Sequence, residues 1–137
     1  MQLSPYIIFN GRCEEALNFY AKALNGEIKS LMYFNQAPEV MPSADKNAVM
    51  HADFEAPGLV FMASDSGQQE QGETATGMIH LSLNFDSAEE EQKIFDALSD
   101  GARITMPLQD TFWGARFGML TDKFGVNWMF NYDKKES

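Results

Sequence analysis

Two histidines, His51 and His80, and one arginine, Arg116, are the side chains whose types most invite chemistry in this chain. Imidazole titrates near neutrality when unperturbed, so either ring could act as acid or base, meet a ligand carbonyl, or bind an anion or metal. A guanidinium at Arg116 could clamp a carboxylate, phosphate or phosphonate group through two parallel hydrogen bonds. The structural alternative for Arg116 is a salt bridge to one of the many acids, and for the histidines a hydrogen-bonded place on a half-polar strand. Neither histidine has a nucleophile beside it in sequence. The one cysteine, Cys13, sits on an apolar helical stripe, where a thiol behaves as a small buried hydrophobe. Trp113 could stack on a ligand or seal a cavity, and Gly114 and Gly118 beside it point to close backbone approach or a bulge.

The elements that position these residues follow from periodicity. Tyr6-Ile7-Ile8-Phe9 reads as a short strand closed by the turn pair Asn10-Gly11. A helix follows from about Cys13 to Asn25, where Cys13, Leu17, Tyr20 and Leu24 make one apolar stripe widened by Ala16, Phe19 and Ala23. Glu14 and Glu15 suit its positive end, and Gly26 is the expected left-handed stop. Strands are expected over Glu27–Phe34, Val49–Phe54 and Gly58–Ser64.

About 75 residues on, the pattern repeats. His80–Phe85 alternates as a strand, and Ser87 with Glu90 three positions later forms a capping box. Ile94, Phe95 and Leu98 mark the helix's apolar face and Gly101 its end. Strands near Ala102–Pro107, Ala115–Thr121 and Asn127–Asn131 complete the second half, with a turn at Asp122-Lys123-Phe124-Gly125. The order is β-α-β-β-β, twice: module one spans about residues 1–64, a polar connector 65–76, and module two about 77–133. This predicts an α+β fold in which two βαβββ modules form a curved mixed sheet around a concave cavity. Period two places His80, Ser82 and Asn84 on one strand face and Ile79, Leu81, Leu83 and Phe85 on the other. By the same parity His51 and Asp53 lie opposite Met50, Ala52 and Phe54, and Trp128 packs under a helix. The loop Asn35–Asn47, with Val40 and Met41 between Pro38 and Pro42, has the length of a binding loop.

Composition narrows the function. A 137-residue chain with 45% hydrophobic residues can bury a full core, and no apolar run approaches the roughly 20 residues that span a bilayer. A net charge of −10 disfavours nucleic acid, whose phosphates would be repelled, and permits a cationic or neutral small ligand. Met1–Pro5 lacks the basic start and apolar stretch of a signal peptide, and one cysteine forms no internal disulfide, so a cytoplasmic location is expected.

Three stretches carry a family resemblance: Glu14 through Tyr20 on the first helix, Met50 through Phe54 on a middle strand, and Asp110 through Asn131. The last holds Asp110-Thr111-Phe112-Trp113-Gly114-Ala115-Arg116-Phe117-Gly118 and then Asp122-Lys123-Phe124-Gly125-Val126-Asn127-Trp128. With the paired modules, they resemble the PhnB-like branch of the vicinal-oxygen-chelate superfamily, which includes glyoxalase I, extradiol dioxygenases and bleomycin-resistance proteins. Some relatives are labelled ubiquinone-pathway methyltransferases, yet no Gly-rich loop after a first strand is present here to hold a nucleotide cofactor. The resemblance implies metal ligands, His and Glu, on the first and last strand of each module. Aligned on helix and turn, those positions hold Pro5, Met62, Met78 and Met129. Proline offers no ligand atom, and a thioether is a soft donor ill suited to Zn, Ni, Mn or Fe in an oxygen-rich site.

The expectation is therefore a protein without metal or other cofactor that binds a small organic molecule in the concave sheet. His51, His80, Trp113, Arg116, Phe9, Met62, Met78 and Met129 would line the site, the methionines and Phe9 as an adaptable apolar floor. Bleomycin-resistance relatives imply that such a scaffold can act by sequestration alone. A second reading is a glyoxalase- or dioxygenase-type enzyme rebuilt around His51, His80 and Arg116. A third is a structural or interaction module. The resemblance also implies a homodimer with two-fold contact, while charge and hydropathy lead to the expectation of no nucleic-acid partner and no membrane. With Arg116 and the histidines converging on the concave face, the expected ligand is an anion.

Overall fold

Each half of the chain folds around one helix laid across one face of its own four-stranded sheet. The structure is a computed structural model and describes residues 1–36, 46–66 and 78–134. The first unit runs β1 (Tyr6–Phe9), α1 (Cys13–Leu24), β2 (Glu27–Tyr33), a short 3-10 turn at Phe34–Gln36, β3 (Val49–Ala56) and β4 (Leu59–Asp65). The second runs β5 (Leu81–Phe85), α2 (Ala88–Leu98), β6 (Arg103–Asp110), β7 (Ala115–Thr121) and β8 (Asn127–Asp133). The chain divides into these two compact units at residue 74. The expected α+β architecture of doubled βαβββ modules is what the structure has, each module with its own mixed sheet.

Strand order is the same in both: β1-β4-β3-β2 and β5-β8-β7-β6. The two outer strands β1 and β5 pair in parallel with β4 and β8, and the remaining pairings are antiparallel. The parallel pairing of β1 with β4 demands a long crossover, and α1, β2 and β3 together supply it.

In the first unit α1 buries Cys13, Ala16, Leu17, Tyr20 and Leu24 against one sheet face. Phe9, Ala52, Phe54, Phe61 and Ala63 meet them there, with Phe54 stacked on Phe61 at 4.8 Å and Tyr20 edge-on to Phe61 at 6.0 Å. The large apolar side chains among them, such as Leu17, Phe54 and Phe61, each contribute about 1.5–3 kcal/mol of burial. The start of α1 is capped from afar: Asp65, buried at the end of β4, accepts the Cys13 N–H at 2.9 Å and the Val49 N–H at 2.9 Å. At the other end Asn25, not Gly26, takes the left-handed conformation, with φ 57°. Asparagine tolerates that region, and Gly26 serves closeness instead. A Cβ there would lie 2.6 Å from Phe54 Cζ and 2.7 Å from the Glu55 carbonyl oxygen.

The second unit packs Phe95 and Leu98 of α2 over Leu120, Trp128 and Phe130, with Phe95 edge-on to Phe130 at 4.9 Å. Ser87 caps α2 as expected, its Oγ accepting the Glu90 N–H at 3.1 Å. The helix ends at Leu98 with Ser99 as its cap, and Gly101 makes the left-handed turn just beyond. Asp122 builds the β7–β8 turn by accepting the N–H groups of Phe124 and Val126, while its second oxygen takes the indole N–H of fully buried Trp128 at 2.8 Å. Strand β6 runs through Pro107 to Asp110 rather than stopping there. It is an edge strand, where a missing N–H interrupts no ladder. Of the two long loops, residues 37–45 and 67–77 lie outside the described residues, including Val40 and Met41.

Candidate functional site

Each sheet has a face that its helix does not cover, and alternation decides what stands on it. In the first unit Tyr6 pairs in register with Met62, and Met62 with Asp53. These three share the open face with Ile8, His51, Ser30 and Met32, since Ser30 pairs with Asp53 and Met32 with His51. A row of hydrogen bonds crosses this face. The Tyr6 hydroxyl lies 3.3 Å from His51 Nδ1, and His51 Nε2 lies 3.3 Å from Asp53 Oδ1. The Ser30 hydroxyl donates to Asp53 Oδ2 at 2.6 Å. Ser30's hydrogen bond holds the Asp53 carboxyl below its ordinary value; burial opposes this and His51 adds to it. A carboxylate only accepts, so a neutral His51 carries its proton on Nε2 and leaves Nδ1 to accept from Tyr6. The row is polar, but its surround is apolar: Tyr6, Ile8, Met32 and Val60 are all exposed on this sheet.

The second unit's open face differs. Met129 pairs there with Ser82 and Met119, and Asn131 donates to the side chains of Asn84 and Asp133 at 3.3 Å each. Phe117 shares the face. Trp113, 59% exposed on the β6–β7 turn, stands edge-on to Phe117 at 6.3 Å and perpendicular to the exposed Phe112 at 5.0 Å.

Several expected site residues stand elsewhere. Phe9 is buried under α1, because it shares parity with Ile7; Tyr6 and Ile8 are the β1 residues on the open face. Met78 and His80 precede β5, which begins only at Leu81; Met78 is 96% exposed and His80 is exposed. Arg116 belongs to the helix face with Gly118 and Leu120, not to the open one. Its guanidinium donates to Gln92 Oε1 and to the Ala88 carbonyl at 3.4 Å, and its Nε stands 4.0 Å from Glu91 Oε1. The expected anion clamp is thus a brace between β7 and α2. Cys13 is fully buried, and burial followed by the charges of Asp65 and Glu14 pushes its thiol up to about 12.

Two residues escaped sequence reasoning. Tyr6 was legible by the same period two that placed Phe9. Glu91 sits four and seven residues before Phe95 and Leu98, on the buried stripe of α2. It is fully buried, with neither carboxyl oxygen hydrogen-bonded among the described residues. Burial raises its pKa, and Arg116 opposes that.

The four former ligand positions do not fit a divalent metal. Pro5 contributes a backbone carbonyl that accepts the Met62 N–H at 3.0 Å, and the other three offer thioethers. Among the described residues no three His, Cys, Asp or Glu side chains stand together as a metal site. Among them, too, no helix is long and apolar enough to cross a membrane.

Comparison with known proteins finds relatives along the whole chain. The Escherichia coli protein YjdN is 33% identical over 99% of this chain and 98% of its own length. The crystal structure of PA1353 from Pseudomonas aeruginosa superposes with a TM-score of 0.85 at 40% identity, covering 98% of this chain and 99% of that one. A PhnB protein from Bacillus cereus gives 0.83 at 29% identity, covering 96% and 99%. A glyoxylase/bleomycin resistance protein/dioxygenase domain from Frankia shares the fold, with a TM-score of 0.70 at 13% identity over 100% of this chain and 95% of that one. Residues 1–130 match the family described as 3-demethylubiquinone-9 3-methyltransferase. The turn after β1 is Asn10-Gly11-Arg12, without the Gly-rich loop of a nucleotide-cofactor site, so the geometry gives that reaction no support. The chain belongs to this PhnB-like family, and it shares the fold of glyoxalase/bleomycin resistance/dioxygenase proteins.

Proposed function

We propose that this protein binds a small organic molecule on the open sheet face of its first module, without a metal. One observation carries the reading: the row Tyr6–His51–Asp53–Ser30 stands beside Met62 on a face its helix leaves uncovered. Converging polar groups set among adaptable apolar side chains are the usual make-up of a ligand site. The expected residues Met78, His80, Trp113, Arg116 and Met129 belong to the second module and lie outside this site. Native mass spectrometry of gently purified protein tests the proposal. It should show a bound organic mass that is lost on His51→Ala or Met62→Ala substitution and carries no metal.

The second reading is an enzyme that moves a proton through His51. Its support is the ring's position between a phenol and a carboxylate, the arrangement that fixes a histidine tautomer for acid–base work. Turnover of the recovered molecule, abolished in His51→Gln, would establish this reading over sequestration. A two-fold homodimer is proposed on the ground that β1, β2, β5 and β6 are sheet edges. Light scattering should then give twice the 15.4 kDa chain mass.

A further inference from the structure

The hydrogen-bond row on the first module's open face consumes its donors and leaves acceptors. Ser30 spends its hydroxyl proton on Asp53 Oδ2, and His51 in its neutral form spends its only N–H on Asp53 Oδ1. Tyr6 spends its phenolic proton on His51 Nδ1. What remains for a ligand is the lone pairs of the Tyr6 oxygen, the Asp53 carboxylate and the Ser30 oxygen. The face is therefore an acceptor surface carrying a negative charge. Lys29, at the end of the same sheet, is already held between Glu27 and Glu55. Arg116, the cation expected to draw an anion, braces α2 on the helix side of the second sheet.

We infer that the ligand of this face is a small organic ammonium ion with an apolar body. An ammonium offers three donors and no acceptor, the complement of what the row leaves unfilled. Its charge meets the Asp53 carboxylate. Its hydrocarbon part lies over Met62, which stands between Tyr6 and Asp53 in the strand register, and over the exposed Ile8 and Met32. A carboxylate ligand would bring acceptors to acceptors and a second negative charge. A neutral alcohol would find one acceptor but no charge partner. The inference rests on the proposed open-face site and fixes the chemistry of its occupant.

The test uses the full chain labelled at methionine methyls and at imidazole nitrogen, titrated with butylammonium, 1-butanol and butyrate. Butylammonium should shift Met62 and Met32 and bind at least about tenfold more tightly than butyrate, a gap of roughly 1.4 kcal/mol. Asp53→Asn should erase that preference with the nitrogen–proton spectrum otherwise unchanged. His51 in the free protein should show its proton on Nε2. Butyrate or butanol shifting the same methyls as tightly as butylammonium would overturn the ligand class and leave the open-face site standing. A proton found on Nδ1 of neutral His51 would overturn the donor accounting itself, whatever the variant does. No shift at Met62 or Met32 with any of the three would overturn the inference and the open-face site together.

Discussion

The two modules repeat one topology but fill one equivalent place with opposite chemistry. The fourth residue of α1 is Ala16 and the second of β3 is Met50; the corresponding residues of α2 and β7 are Glu91 and Arg116. Ala16 and Glu91 are both fully buried. At this place the first module closes helix on sheet with apolar atoms, while Tyr6, His51, Asp53 and Ser30 stand on its open face. The second places a carboxylate and a guanidinium between helix and sheet. The first module's exposed row is thus available to a ligand, whereas the second module's Glu91 and Arg116 are spent on the fold. Replacing a buried ion pair by apolar residues is often neutral or stabilising, while removing one partner is strongly destabilising.

The largest expected effect breaks that brace. Arg116→Met leaves Glu91 buried without its cation and should cost about 3 kcal/mol, near the low end for a broken buried pair, since Arg116 is partly exposed. Adding Glu91→Leu, which makes the second module resemble the first, should restore most of that loss. Urea unfolding of the single and double variants reads both. A double variant no better than Arg116→Met would mean the two sites are not coupled.

Next in size is the long-range cap. Asp65→Ala removes two charge-assisted hydrogen bonds, at Cys13 and Val49, and should cost about 2–3 kcal/mol by thermal unfolding. Ser87→Ala removes only a local cap on α2 and should cost about 1 kcal/mol. The order of these two losses tests whether α1 depends on β4 more than α2 depends on its own cap.

A smaller effect lies in pH. Because burial raises the Glu91 pKa in the folded state, the native protein holds that proton more tightly than the unfolded chain. Stability from this group is therefore greatest below the unfolded carboxyl value and falls as pH rises through the folded one. Glu91→Gln should flatten that descent in a series of urea midpoints. Cys13 should be the quietest reporter: buried and with its thiol pushed up to about 12, it should resist disulfide reagents at neutral pH until the first module unfolds.

How much was legible in the sequence follows the same physics. The strand and helix order, the Ser87 cap and the buried place of Trp128 were readable because they depend on period and local hydrogen bonding. His51 and Asp53 fell on the expected face by parity. Arg116 did not: its charge suggests a clamp, whereas its parity with Gly118 and Leu120 places it under α2. Asp65 as the cap of α1 was not readable at all. It lies 52 residues from Cys13, and nothing local announces a contact of that separation. Glu91 was hidden by its neighbours Glu89 and Glu90, which made it look like part of a solvated first turn.

The central claim is that the first module's open face holds the ligand. A methionine-methyl spectrum of the full chain, recorded as a ligand recovered from purification is added back, tests it most directly. Met62 and Met32 should move most, with core-facing Met50 nearly still, and His51→Ala should abolish the response. Movement confined to Met119 and Met129, with Met62 unmoved, would contradict the account and assign the ligand to the second module.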